Sequence, residues 1–445
     1  MSALSHKEQF SYLQTMKTCL SIAAFFLFGI FIAFSKKDIS ADAKYIAFTG
    51  ATIIDGNGGT PVRDGTLLIN NNRIIAFGTE DQVKIPANAA VINVSGKTII
   101  PGLINAHAHV GDVKGIDAGH YSRQNAEDNL SIYARYGITT VVSLGGDGPE
   151  AVPLRAVKET ATVQRARLYM AGAVITGRTP EQAIEVVNAN HRLGVDLMKI
   201  RVDDNLGSTQ KMSEEVYKAV INRSHQLGYQ IAVHMYYLDD AKKLLKAGAD
   251  MLAHSIRDRA ADDEVVRLMQ EKKTFYCATL TRELSTYVYA SMPTFFSDPF
   301  FLREYDKQTL APLLAPSRQQ QMRNSKSAQT YKQQLPVAMA NLKKLSDKGI
   351  PIVMGTDSGF PLRFIGYFEH VEMEMMSQAG LTPMQILVSA TKTPAEYLKL
   401  KDIGLIKPGY KADFVILDKN PLDDISNTRS ISQVWIGGEK VSIEY

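Results

Sequence analysis

The stretch Ile99–Gly111, IIPGLINAHAHVG, decides how the rest of the chain is read. An apolar run ends in two histidines one residue apart. Successive side chains of an extended strand alternate between faces, so His107 and His109 share one face while Ala106, Ala108 and Val110 take the other. Two imidazoles then aim at one place. A pair of half-buried, hydrogen-bonded histidines would read the same way. A metal site is distinguished by further ligands supplied from the ends of distant strands.

Outward from that stretch, short β-branched or apolar runs alternate with helical patterns: GITTVVSLGG, RLYMAGAVIT, VDLMKIRVDD, QIAVHMYY, DMLAHSI, TFYCATLTR and IPIVMGTDSG follow in order. Helix starts are legible at Thr179-Pro180, at Ser213 before two glutamates, and at Thr382-Pro383. With the Ile99–Gly111 run these make eight strand candidates joined largely by helical crossovers. The expectation is a (β/α)8 TIM barrel over residues 101–404, with its chemistry at the carboxyl ends of the strands. Residues 284–335 break the rhythm and are read as a long excursion after the seventh strand, either a lid or a surface insertion. Both ends of the chain, 44–100 and 405–445, alternate β-rich runs with Gly, Asn and Asp turns, which predicts one small β-sandwich domain built from the two termini.

The chain has 445 residues, 45% hydrophobic and 22% charged, enough for a barrel-sized domain and a smaller companion. A formal charge of +4 without a concentrated basic block gives no reason to expect nucleic acid. Cys19 and Cys277 are the only cysteines, which excludes a disulfide framework and a cysteine-rich zinc finger. From Thr18 to Ser35 no residue is charged, and lysines flank the run at 7, 17, 36 and 37. Residues 1–43 are therefore expected to be a signal peptide, cut near Ala41-Asp42-Ala43, or an N-terminal membrane anchor through 18–35. Cleavage is the favoured alternative, and either one puts the body outside the cytoplasm, periplasmic or extracellular. Cys19 lacks the Leu-small-small context of a lipid-attachment site.

At the strand ends stand His107 and His109 on the first, Lys199 on the fourth, His234 on the fifth, His254 on the sixth and Asp357 on the eighth. One such histidine is usually packing; an ordered set is hard to obtain by chance. Together with PGLINAHAH, MKI before Arg201, AVHMY, ADMLAHS, GTDSG and the tail LTPMQILVSAT, TPAEYL and KPGYKADFVILD, these residues resemble the amidohydrolase superfamily. The likeness runs from about residue 45 to the end and is greatest to the imidazolonepropionase-like and prolidase-like branch.

The resemblance implies that His107, His109 and Asp357 bind the more buried of two divalent ions, zinc, and that His234 and His254 bind the more exposed one. It implies that Lys199, carboxylated by carbon dioxide, bridges both. An independent argument supports the lysine: an ammonium beside two dications is repelled, its pKa falls, and the neutral amine can form an anionic carbamate. Two metals about 3.5–4 Å apart share a hydroxide of lowered pKa, the expected nucleophile. Asp357 would pass its proton to the leaving nitrogen. Tyr236, two residues beyond His234, is a candidate oxyanion or carboxylate donor, by likeness to dipeptidase-like relatives. Arg201, Arg282 and His120 are weaker candidates for substrate contact.

The expected activity is hydrolysis of an amide-type carbon–nitrogen bond in a small molecule, a dipeptide or N-acyl amino acid. Cyclic amides, lactones and phosphotriesters suit the same machinery. The alternative from another class is a non-catalytic envelope binding protein on a barrel scaffold, and a homo-oligomer is compatible with either.

Overall fold

The computed structural model describes residues 44–157 and 164–443. The segment 18–35, Cys19 and the cleavage tripeptide lie outside them. Among the described residues no helix is long and apolar enough to cross a membrane.

The two chain ends form a single connected eight-stranded sheet. Its strands are β1 (Tyr45–Ile53), β2 (Val62–Asn70), β3 (Arg73–Gly78), β4 (Ala90–Asn93) and β5 (Thr98–Pro101), with β13 (Phe414–Leu417), β14 (Ile431–Ile436) and β15 (Glu439–Lys440) from the end. β13 runs antiparallel to β5, with Phe414 opposite Pro101 and Leu417 opposite Thr98. Period-two alternation explains the packing: Ile46, Phe48, Leu67 and Ile69 enter one apolar cluster, while Ala47 and Leu68 face Val83 on the other side. Trp435 stacks on Phe414 at 5.7 Å, and Phe48 meets the Trp435 ring edge-on at 5.0 Å. Where two facing sheets were expected, β5 joins the strands of both termini into one sheet.

The middle of the chain is α/β. Strands β6 (Leu103–Ala108), β7 (Ile138–Ser143) and β8 (Arg167–Met170) form a parallel sheet, and β9 (Met198–Arg201), β10 (Ile231–His234), β11 (Met251–Ala253) and β12 (Phe275–Cys277) form a second. Nearly every residue in these strands is buried, as expected where helices cover a parallel sheet. An isolated parallel bridge joins Ile175 to Ile200, and others join Tyr276 to Ile352 and Ala108 to Ser358. The predicted helix starts are present: Thr179, Ser213 and Thr382 each cap a helix, and Thr382 forms a full capping box with Gln385.

The eighth strand candidate differs from expectation. Residues 350–358 make bridges only at Ile352 and Ser358 and form no continuous strand. The backbone instead folds onto His107, whose carbonyl accepts from Thr356 N at 3.1 Å and from Asp357 N at 2.7 Å. Gly355 permits this approach, because a Cβ there would lie 2.7 Å from His107 Cβ. Asp357 then takes a left-handed conformation, φ 59°, which ends any extended run.

Residues 284–335 contain helical turns and the helix Pro316–Asn324, and a longer helix, Lys326–Asp347, begins there. The segment is pinned by an aromatic cluster: Phe296 stacks on Phe301 at 5.6 Å, and Phe301 meets Phe364 at 4.9 Å.

Fully buried His370, on the helix Tyr367–Gln378, ties this helix to both halves of the chain. Its Nε2–H donates to the Tyr136 carbonyl at 2.9 Å. Its Nδ1 accepts from the Thr428 hydroxyl at 2.9 Å. Burial pulls its pKa from 6.5 down to about 3. The neutral ring therefore contributes stability that is complete above pH 6.5 and is lost as pH falls toward 3, where only the unfolded chain takes up the proton. Denaturant unfolding at stepped pH should show wild type losing about 2 kcal/mol more than His370→Asn between pH 6.5 and 5. Equal acid slopes in the two proteins would refute a buried neutral histidine.

Candidate metal centre

Four histidines, a lysine and an aspartate line one cavity of about 330 Å³: His107, His109, Lys199, His234, His254 and Asp357. Each comes from a different place in the parallel sheets or just beyond. His107 lies in β6 and His109 follows it; Lys199 lies in β9, opposite Ala232 of β10. His234 ends β10 opposite Ala253, so His254 begins the loop after β11 beside it. The rings of His234 and His254 are 4.1 Å apart, and those of His107 and His254 are 4.7 Å apart.

Asp357 is the hub. Its Oδ1 lies 3.2 Å from His107 Nε2 and 3.0 Å from His109 Nε2. His109 Nδ1 is 2.8 Å from the Gly145 carbonyl, which requires a proton on Nδ1 and leaves Nε2 as a lone pair in the neutral ring. Nε2 facing a carboxylate oxygen at this distance takes a proton or a metal cation between them. Lys199 Nζ lies 3.2 Å from His107 Nε2. Outer groups fix the remaining rings: Thr279 Oγ1 sits 2.7 Å from His254 Nδ1, and Asp203 Oδ2 sits 2.9 Å from His234 Nε2. Each ring keeps its other nitrogen for a ligand, the arrangement seen around metal-binding histidines.

Electrostatics agree with the geometry. Burial, reinforced by Lys199, lowers His107 to about 3; burial also lowers His234 to about 3 and His254 well below its usual value. Neutral imidazoles result, which a metal requires. Burial pulls the Lys199 amine down to about 8. Burial alone would raise the Asp357 carboxyl, but Arg363 and His107 outweigh it and hold the group well below the ordinary carboxylate range. The donor set therefore fits one or more divalent cations. The tightest three-ligand group among the described residues is His107, His254 and Asp357, with ligand atoms within 4.8 Å of one another. That group mixes ligands expected on two different ions, because both ions would share one small cavity.

A model of the family described as "Amidohydrolase family" matches residues 98–441. The chain belongs to the amidohydrolase family. Membership implies a TIM-barrel-like fold. The chain is 27% identical over 203 residues to an uncharacterised protein of Mycobacterium tuberculosis, a match covering 44% of the chain and 54% of that protein. The chain thus spans about half the length of the first such relatives. It is 22% identical to the ochratoxinase of Aspergillus niger, over 89% of the chain and 87% of the relative. Among solved structures, a Xaa-Pro dipeptidase with methionine bound in its active site superposes with TM-score 0.69 at 22% identity, covering 89% of this chain and 99% of that one. At that identity the superposition speaks to the fold alone.

Other expected contacts fare unevenly. Arg201 and Arg282 line the cavity. Arg282 is buried, pairs with Glu283 at 3.0 Å and lies 4.4 Å from the Tyr331 ring. Tyr236 does not line the cavity: its hydroxyl donates to Gln334 of the Lys326–Asp347 helix, and its ring lies under Arg257 at 4.6 Å. The strand stops at His234, so the two-residue alternation that would have turned Tyr236 inward no longer applies. His120 is exposed, in a loop tied by its amide to the Asp112 carbonyl, and also lies off the cavity.

Two participants escaped the sequence reading. Arg363 pairs with Asp357 Oδ2. Asp203 orients His234; the only hint was its position just beyond β9. Gly359 deserves its place through contact: at φ 88° a Cβ would meet the His109 carbonyl oxygen at 1.8 Å. Gly359→Ala should therefore displace His109, destabilise the protein by about 1–3 kcal/mol and lower bound metal, read by unfolding and elemental analysis. Wild-type metal content in that variant would contradict the packing argument.

Proposed function

We propose that this chain is a metal-dependent hydrolase of amide-type carbon–nitrogen bonds, acting on a dipeptide or N-acyl amino acid. The observation that carries the reading is the convergence of six ligand-type side chains, distant in sequence, on one cavity. The site is read as the mouth of a closed (β/α)8 barrel over 101–404, flanked by a small β domain from 44–100 and 405–445. The bridges Ile175–Ile200, Tyr276–Ile352 and Ala108–Ser358 support closure. Export, with the leader cleaved or retained as an anchor, is our reading of residues 1–43 on their apolar and lysine pattern alone.

His107, His109 and Asp357 would hold one divalent ion, His234 and His254 a second, and Lys199, as a carbamate, both; zinc suits imidazole and carboxylate donors. When bound, such ions lower the pKa of water and polarise a carbonyl. The chain's own groups do the rest. Asp357 accepts the proton of the attacking water and returns it to the leaving nitrogen, which must be protonated to depart. Arg363, on the opposite carboxylate oxygen, keeps Oδ1 turned toward the histidines. Asp203 and Thr279 hold His234 and His254 in fixed ring orientations.

A panel of dipeptides and N-acyl amino acids, assayed with zinc and bicarbonate, should reveal turnover that chelation abolishes and zinc restores. Lys199→Ala should lose more than about a hundredfold in rate and one equivalent of metal. Full activity in Lys199→Ala would remove the bridging role. A metal-free wild-type protein inert across the panel would favour the non-catalytic binding alternative.

A further inference from the structure

The cavity lined by the six ligand-type side chains shares residues with two further basins of opposite character. On one side, His109, Val174 and Phe360 also line a basin of about 280 Å³ completed by Val110 and Tyr121. Phe360 is 39% exposed, a large apolar ring left in solvent at the cavity mouth. It lies 4.2 Å from the His109 ring. An apolar ring held open beside a polar centre marks a place where ligand surface is buried. The acidic group on this side, Asp112, accepts from Gly119 N at 3.1 Å.

On the other side, Arg201 and Asn205 line both the metal cavity and a polar basin of about 390 Å³ that includes Arg178 and Lys211. Lys211 is neutralised by Asp240 and lies 3.7 Å from Asp204. Asp203 is committed to His234 at 2.9 Å and stands 3.7 Å from Arg201. Arg201 donates to the neutral Asn205 amide oxygen. Arg178 is exposed and its guanidinium has no side-chain partner among the described residues. One guanidinium without a side-chain partner among the described residues, Arg178, and a second, Arg201, whose nearest acid stands 3.7 Å away thus line one basin, where a ligand carboxylate gains bidentate, charge-assisted bonds.

We infer that the substrate is an amide with a ring-sized apolar group on one side of the scissile bond and a carboxylate on the other. The ring rests on Phe360 and Val174, and the carboxylate is held by Arg201 and Arg178. This rests on the proposed amide hydrolysis and narrows its substrate class to N-acyl amino acids with an aromatic acyl group and their mirror images, aromatic amides of dicarboxylic acids.

The test uses the full zinc-loaded chain and two kinds of probe. For turnover, N-benzoylglycine and succinic acid mono-anilide are compared with their carboxamides and, on the apolar side, with N-acetylglycine. For binding without chemistry, 4-phenylbutanoate, which has the length of N-benzoylglycine but no amide, is titrated by calorimetry against 4-phenylbutanamide. Carboxylate should be preferred over carboxamide about tenfold or more, chiefly in KM. Arg178→Gln and Arg201→Gln should each erode that preference, and Phe360→Ala should erode the preference for benzoyl over acetyl. Amide turnover with no carboxylate preference and no variant effect overturns this inference while leaving the hydrolase reading intact. Binding of 4-phenylbutanoate that weakens in Arg178→Gln, without turnover of any amide, keeps the two basins and sinks the hydrolase reading. Absence of both defeats both.

Discussion

One carboxylate oxygen, Oδ1 of Asp357, faces the Nε2 atoms of two histidines. Nothing in that arrangement is comfortable without positive charge at its centre, and much of the surrounding structure keeps it from relaxing. Asp357 is held at φ 59° and His254 at φ 81°, backbone conformations that ordinary L residues avoid. Glu369 accepts from Asn105 Nδ2, Thr356 Oγ1 and Ser358 Oγ at 2.6, 2.8 and 2.6 Å, tying the strand that carries His107 to both neighbours of Asp357. Asn105 Oδ1 accepts the His107 amide proton at 2.9 Å, which completes the brace.

The same burial that packs the sheets also sets the protonation states. Imidazoles sealed beneath apolar strands stay neutral because charging them without water is costly. Burial pushes the Asp357 carboxyl toward its neutral form, and Arg363 on its outer oxygen together with His107 outweighs that push. Fold and electrostatics are therefore one argument here: parallel strands deliver side chains to a shared rim, and the apolar layers behind them decide which of those side chains carry charge.

Much of this was legible in the sequence. His-x-His needs only the strand period, and the further His and Lys positions stood at the ends of apolar runs whose helical partners had readable caps. What was not legible depended on where strands stop and loops turn. Tyr236 was assigned by extending β10 two residues past its end. The run before Asp357 looked like a strand because its composition is strand-like; its kink comes from contact between Gly355 and His107, residues about 250 positions apart. Arg363 and Asp203 act through loops, and no local pattern announces a loop's partner. The terminal sheet was expected from its turns, but the pairing of β5 with β13 is a long-range choice that composition does not encode.

The chain contains a single tryptophan, and it is Trp435, stacked on Phe414 inside the terminal sheet and far in sequence from any cavity ligand. Its intrinsic fluorescence is therefore a private window on that sheet. An optical signal from this one ring would report whether the two ends of the polypeptide remain zipped together, and would stay silent about disorder confined to the rim where the histidines meet.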